Sequence, residues 1–152
     1  MREYGVPAEF DPVTEECAGS GPDPGFGGRH LSADAEGLTI ARSAHGEGYL
    51  LASSQGDSTF AAYRRTGSNR YVGGFVIGDR PAGPGRPAVD GAQHSDGAAV
   101  VTTSLGPEFP GGLLVVHDGE DTPQHVDQNG EPRVGTNFVY SRWRDVEQLL
   151  RK

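Results

Sequence analysis

The chain has 152 residues, with 24 glycines, 11 prolines and 34% hydrophobic residues, a composition that favours short strands and tight turns over long helices. Its formal net charge of −8 argues against a basic face for nucleic acid or an anionic membrane. Cys17 is the only cysteine, which excludes an internal disulfide and a thiolate zinc cluster. We therefore expect an all-β fold with no nucleic acid or membrane partner.

The first 28 residues are rich in glycine, proline and acidic residues and show no sustained periodicity. We expect poor order in this segment. The opening residues lack the basic and then apolar run of a secretory signal, and no apolar stretch approaches the length that spans a membrane. As written, the sequence predicts a cytoplasmic protein.

Strand-like runs recur from residue 38 onward and are separated by turn-forming groups, as in a meander of antiparallel strands. They cover residues 38–42, 48–53, 59–64, 71–77, 98–103, 113–117 and 137–140. The runs at 49–52 and 75–77 are apolar on both faces, which predicts strands covered by sheet on both sides. Propeller blades and β-sandwiches both meet that requirement.

Two segments depart from the strand pattern. Residues 78–97 are too long and too rich in proline and glycine for a strand, and we interpret them as a long loop that carries two Asp-Gly pairs. Residues 141–152 place Trp143, Val146, Leu149 and Leu150 at helical spacing, which predicts a short terminal amphipathic helix. We expect this helix to dock on the core.

Acidic residues gather in three places and could supply oxygen ligands for a metal. Asp34 and Glu36 are two residues apart, so in an extended stretch both point the same way as a paired carboxylate. Such a pair is costly to bury unless a cation or a proton neutralises it. Asp90 and Asp96 lie in the long loop. The third group is HDGED, with Asp118, Glu120 and Asp121, and it lacks the full spacing of an EF-hand. Solvated carboxylates and a simple turn are the alternative interpretations of these acids.

Other reactive residues show no catalytic pattern. The five histidines lack the spacing of zinc proteases and deaminases, so we expect surface or structural roles for them. No Gly-x-Ser-x-Gly elbow surrounds Ser53 and Ser54. Covalent catalysis is therefore not indicated.

At these stretches the sequence resembles the β-propeller phytases, which are alkaline and calcium-dependent. The resemblance rests on ordered blocks, namely GRHLSADAEGLTI (28–40), GEGYLLASSQGDSTFAAYRR (46–65), NRYVGGFVIGD (69–79), VDGAQHSDG (89–97), LGPEFPGGLLVVHDGED (105–121) and TNFVYSRWRDV (136–146). It implies that residues 29–152 are two to three four-stranded blades from the C-terminal part of a six-bladed propeller. Residues 1–28 are then a poorly ordered segment or a remnant of a preceding blade.

The resemblance also implies roles for individual residues. Asp34 and Glu36 match carboxylates that hold calcium at the active site, and Gln55 and Arg29 match positions at the substrate cleft. The implied metal ligands are Asp34, Glu36, Asp90, Asp96, Asp118 and Glu120, the last two at a structural calcium turn. The implied reaction is hydrolysis of phytate, myo-inositol hexakisphosphate, with calcium bridging the phosphates and activating a water. Several calcium ions and, for the intact family, an extracellular location are expected.

The sequence also departs from the family pattern. After Asp96 and Gly97 the family has Ile-Asp-Val, whereas this chain has Ala98-Ala99-Val100, so one carboxylate is absent. The earlier blades have no counterpart, so we expect the isolated chain to be unstable or aggregation-prone, and its activity alone is left open. Missing blades or self-association would complete the ring. A catalytically inactive calcium-binding remnant or interaction module is the main alternative, and an unrelated lectin-like module is a third.

Overall fold

The computed structural model describes residues 9–11, 13, 16–18, 30–31, 35–120, 122, 125–133 and 135–151. These residues form eleven strands, one α-helix and a short 3-10 helix at Gln55–Asp57. The strands are β1 (Glu9–Asp11), β2 (Glu16–Ala18), β3 (Leu38–Arg42), β4 (Gly48–Ser54), β5 (Thr59–Arg64), β6 (Tyr71–Phe75), β7 (Ala98–Val101), β8 (Leu113–Asp118), β9 (His125–Val126), β10 (Pro132–Arg133) and β11 (Asn137–Arg142), and the helix is α1 (Trp143–Leu150). The all-β prediction is confirmed.

The first large sheet is an antiparallel meander in the order β3-β4-β5-β6. Each of its strands begins at the residue that the sequence predicted. Strand β6 ends at Phe75, two residues earlier than predicted. Val76 is 63% exposed, so the expectation of cover on both faces is wrong at the end of this run. Turns with left-handed residues, such as Asn69 with φ 53°, join the strands, because the short polar side chain of asparagine tolerates that conformation.

The second sheet has three strands in the order β11-β8-β7. Strand β7 lies beside β3 of the meander. Just after β7, the Thr102 hydroxyl donates to the carbonyl oxygen of Arg42 at 2.6 Å. Between the two sheets in the chain, the segment at residues 78–97 is a loop with only two isolated bridges, at Arg80–Val89 and Gly83–Arg86. The predicted long loop is therefore confirmed.

The main hydrophobic core lies between the two sheets and α1. Its largest fully buried apolar side chains are Phe60, Leu51, Leu114 and Val116, and each such side chain contributes about 1.5–3 kcal/mol by its burial. Helix α1 closes this core with Trp143, Val146 and Leu150. Leu149, which the sequence placed on the same face, is 55% exposed, because it lies between the core stripe and the solvent side of the helix.

The outer faces of the two sheets also carry apolar residues. On the meander, Ala52, Ala61 and Tyr63 form a second, smaller cluster, while Leu38 and Ile40 remain exposed. On the second sheet, the outermost strand exposes Phe138 and Tyr140. Two adjacent antiparallel sheets with apolar faces on both sides are consistent with part of a propeller, in which each blade packs between two others.

The described residues also include two small hairpins. Strand β1 pairs with β2 inside the segment for which we expected poor order, and most of that segment lies outside the described residues. Strand β9 pairs with β10, a hairpin that the sequence did not predict. Within the part of the chain that the structure describes, no helix is both long enough and apolar enough to cross a membrane.

Candidate functional site

Acidic side chains collect at one end of the two sheets, which we call the acidic end. Strand β3 starts just after Glu36, and β4 ends just before Gln55. In the second sheet, β7 starts just after Asp96, and β8 ends at Asp118. Because neighbouring antiparallel strands alternate in direction, these starts and ends fall at the same edge of the assembly.

Neutral hydrogen bonds tie the segments of the acidic end together. The backbone amide of Ser53 donates to the carbonyl oxygen of Gly37 at 2.9 Å. The buried Ser53 hydroxyl donates to the carbonyl oxygen of Ser95, and the Ser95 hydroxyl donates to that of His117. These bonds connect the segments of Glu36, Asp96 and Asp118, and we call them the serine tie.

Glycine allows the closest approach within the acidic end. A methyl group on Gly37 would lie 2.5 Å from the Cα atom of Gly97 and 2.6 Å from the carbonyl oxygen of Asp96. No side chain fits at that distance without moving one of the two backbones. The segment that carries Glu36, itself exposed, is therefore held directly against the segment that carries Asp96.

Asp96 is contacted from both sheets. The Gln55 side-chain amide donates to its Oδ1 atom at 2.5 Å. From the second sheet, His117 Nδ1 accepts the backbone N–H of Asp96 at 3.3 Å and lies 3.5 Å from its Oδ2 atom. Gln55, for which the sequence predicted a place at the substrate cleft, thus contacts Asp96 directly.

Asp118 is fully buried, and its two oxygens differ. Oδ1 accepts the backbone N–H of Gln93 at 3.0 Å and that of Glu120 at 3.3 Å. Oδ2 has no hydrogen-bond partner among the described residues, and neither has the buried side-chain oxygen Oε1 of Gln93. A buried acceptor without a partner costs about 1–3 kcal/mol, and more when it is charged. Buried carboxylate and amide oxygens on two contacting segments are ligands of the kind that a hard cation such as calcium prefers.

Glu120 is exposed and faces His94, with 3.4 Å between His94 Nε2 and Glu120 Oε1. His94 has a φ of 45°, a conformation that few residues other than glycine adopt. Its backbone N–H donates to the Ser58 hydroxyl at 3.2 Å. The residue between the two acids, Gly119, has no room for a side chain, since a methyl group there would lie 2.8 Å from the His94 carbonyl oxygen. The loop and the HDGED turn are therefore packed backbone against backbone.

Asp90, in the long loop at residues 78–97, accepts three hydrogen bonds. Its Oδ2 accepts both the backbone N–H and the hydroxyl of Thr122 at 2.7 Å, and its Oδ1 accepts the N–H of Gly91 at 3.0 Å. The Thr122 hydroxyl, followed by the Thr122 amide, lowers the pKa of Asp90 below its usual 3.8, because these donors favour the ionised form. Asp90 thus fastens the long loop to the segment after HDGED.

The structure brings together the segments of Glu36, Gln55, Asp96 and Asp118, with Glu120 two residues beyond Asp118. Asp90 is joined to Thr122, close to Glu120 in the chain, and lines a different cavity from Asp96. Asp34 and Arg29 lie outside the described residues. Among the residues that are described, no three His, Cys, Asp or Glu side chains are grouped closely enough to hold a metal ion by themselves. Sequence reasoning missed Gln93, Ser95, His117 and Thr122, which carry no spacing signal and meet the acids only through the fold.

The fold and this end of it define a class: an all-β protein of propeller-like sheets with carboxylates gathered at one edge. A sequence model of the family described as phytase matches residues 23–152. The chain belongs to the phytase family. It is 42% identical over 123 residues to a 3-phytase of Bacillus subtilis (strain 168), an alignment that covers 81% of this chain and 29% of that protein. The chain therefore spans less than a third of the length of that relative.

Proposed function

We propose that the chain is the C-terminal part of a phosphomonoesterase that hydrolyses phytate, and that calcium is its cofactor. Membership of the phytase family and the similarity to a protein named 3-phytase support the substrate and the reaction. A chain of net charge −8 repels a polyphosphate, so a cation is needed to bring the two together.

The pair of orphaned buried oxygens carries the calcium proposal. Asp118 Oδ2 and Gln93 Oε1 would hold one ion, and the neighbouring Glu120 would complete a structural site with backbone oxygens or water. Calcium prefers oxygen ligands of these kinds and takes six to eight of them. Burying the Asp118 carboxylate is otherwise unfavourable, because a desolvated charge needs a partner.

The catalytic part of the proposal concerns the other acids. Asp34 and Glu36 would hold calcium at the cleft, with Asp96 and Asp90 as further ligands. Bound there, calcium would offset the carboxylate charge, bridge phosphate oxygens and lower the pKa of a bound water. Gln55 contributes by its contact with Asp96, which fixes the direction of that carboxylate, and we place Arg29 among the groups that bind phosphate.

The test is phosphate release from calcium phytate by the purified 152-residue chain. If this part of the protein is active alone, release must depend on calcium and fall to background in Asp34→Ala and Glu36→Ala. The matched control is Asp127→Ala, which removes an exposed acid from the turn between β9 and β10. Release at the background rate by the wild-type chain would contradict catalysis by this chain alone.

A second candidate is a calcium-binding module without catalysis, since the buried oxygens of Asp118 and Gln93 suit an ion that stabilises the fold and contacts no substrate. Calorimetric titration separates the two functions. The phytase proposal predicts that calcium binding creates affinity for phytate, whereas a module of the second kind binds calcium and gains no affinity for phytate.

A further inference from the structure

His117 is bonded to Asp96 and to both of its neighbours in the chain. Its backbone carbonyl accepts the Ser95 hydroxyl, and its backbone N–H donates to the Gly97 carbonyl oxygen at 2.9 Å. Its side-chain Nδ1 accepts the backbone N–H of Asp96 at 3.3 Å. The residues before and after Asp96 and the Asp96 amide itself are thus bonded to one residue of β8.

The ring of His117 is fixed on its other side as well. It packs edge-on against Phe138 with 6.0 Å between ring centroids, and its side chain is 20% exposed. His117, Phe138 and Asp96 line one cavity of about 350 Å³. The imidazole therefore cannot turn away from Asp96 without losing both a ring contact and a hydrogen bond.

Accepting the Asp96 N–H requires one tautomer of the ring. A nitrogen that accepts an N–H carries a lone pair and no proton, so a neutral His117 in this role has its single N–H on Nε2. The Nδ1 atom, 3.5 Å from Asp96 Oδ2, then has no proton to donate to that oxygen. Gln55 already donates to Oδ1, so within the described residues Oδ2 is the carboxylate oxygen that no donor occupies.

We infer that His117 is a positioning residue for Asp96: by accepting the Asp96 amide it holds the backbone from which the carboxylate projects, and the bond from Gln55 to Oδ1 then leaves Oδ2 for a calcium ion. The inference rests on the proposed function for the ligand role of Asp96. The hydrogen bond itself does not depend on the ion. Residues that form hydrogen bonds to a metal ligand change the affinity for the metal although they do not contact the metal themselves.

Two substitutions at His117 separate positioning from packing. His117→Asn keeps an acceptor oxygen on Cγ, where the imidazole has Nδ1, and His117→Leu puts a methyl group there. His45→Leu, in the exposed turn before β4 at the opposite end of the sheets, is the matched control. Each protein is titrated with calcium alone by calorimetry, and the hydrogen exchange of the Asp96 amide is followed by NMR in EGTA.

We expect His117→Leu to weaken calcium binding by about tenfold, in the range known for partners of metal ligands, and to speed exchange of the Asp96 amide. His117→Asn should restore both values toward the wild type, and His45→Leu should change neither. Equal effects of the asparagine and leucine variants, or wild-type behaviour of the leucine variant, would overturn the inference.

Two other outcomes also decide the role of His117. If His117→Leu does not fold, the ¹⁵N shift of Nδ1 in the wild type decides, since a protonated Nδ1 at neutral pH excludes the proposed bond. If the wild-type chain binds no calcium, the ligand role of Asp96 fails, and the proposed positioning fails with it. In that case exchange of the Asp96 amide still reports whether its bond to His117 exists, so failure of the calcium proposal is distinguished from absence of the hydrogen bond.

Discussion

If the chain binds calcium as proposed, replacing Asp118 by asparagine should remove most of the stabilisation that the ion gives. Asparagine keeps one oxygen for the N–H groups of Gln93 and Glu120, and it replaces the orphaned oxygen by an uncharged NH₂ group. A ligand that binds only the folded state at about 100 times its Kd stabilises that state by about 2.7 kcal/mol. The variant should lose the greater part of this gain.

In the calcium-free protein, two effects of the substitution oppose each other. Removing an unpaired buried charge stabilises the fold, whereas a buried NH₂ group without an acceptor costs about 1–3 kcal/mol. Without calcium, the free energy of unfolding of the variant should lie within about 1 kcal/mol of the wild-type value, because these two contributions have similar sizes. The stability penalty should therefore appear mainly when calcium is present.

Urea unfolding of both proteins, in calcium and in EGTA, measures these differences. The control is Asp127→Asn, an exposed acid that accepts backbone N–H groups in a hairpin turn and should leave the calcium effect unchanged. Full calcium-dependent stabilisation of the Asp118→Asn variant would refute the argument from the orphaned oxygens.

Three further predictions test the acidic end. Gly37→Ala should lower the free energy of unfolding by about 1–3 kcal/mol, as overpacking does, because the new methyl group would lie 2.5 and 2.6 Å from backbone atoms. The control is Gly83→Ala, which has open space around it and should leave the free energy of unfolding unchanged in the same denaturation assay. The depressed pKa of Asp90 implies stability that is present above pH 3.8 and lost as the pH falls through the lower pKa of the folded state; Thr122→Val should raise that pKa in an NMR titration, and an unchanged value would contradict the assigned cause. Ser53→Ala should cost about 1–3 kcal/mol in thermal unfolding, since it leaves a buried carbonyl oxygen without its donor, and a loss no larger than that of an exposed serine would disprove a stabilising tie.

The strands were predictable because their signal is local. Residues 38–42 and 59–64 alternate or carry β-branched and aromatic residues, and glycine-rich turns bound them, so their limits follow from the sequence. The end of β6 was not predictable, because Val76 and Ile77 are as apolar as a strand interior. Only the packing of the neighbouring sheet decides that Val76 is left exposed.

The site was predictable to the extent that acids stand at strand ends. Asp96 and Asp118 border β7 and β8, so an antiparallel arrangement places them at one edge. Gln93 and His117 were not predictable as partners, because their contacts join segments that are 20 or more residues apart. Spacing rules detect partners on one helix or strand, and His117 reaches Asp96 only when two separate segments meet.

The serine tie has a consequence for how this end of the molecule tolerates change. Its bonds use hydroxyl groups and backbone atoms, and no carboxylate takes part in them. This part of the framework is thus separate from the charges that the loops display. Glu36 and Glu120, whose exposed carboxylates make no backbone hydrogen bond in the described part of this framework, are the acids that can be exchanged with the least effect on its shape, whereas Asp90 and Asp118 also hold backbone N–H groups.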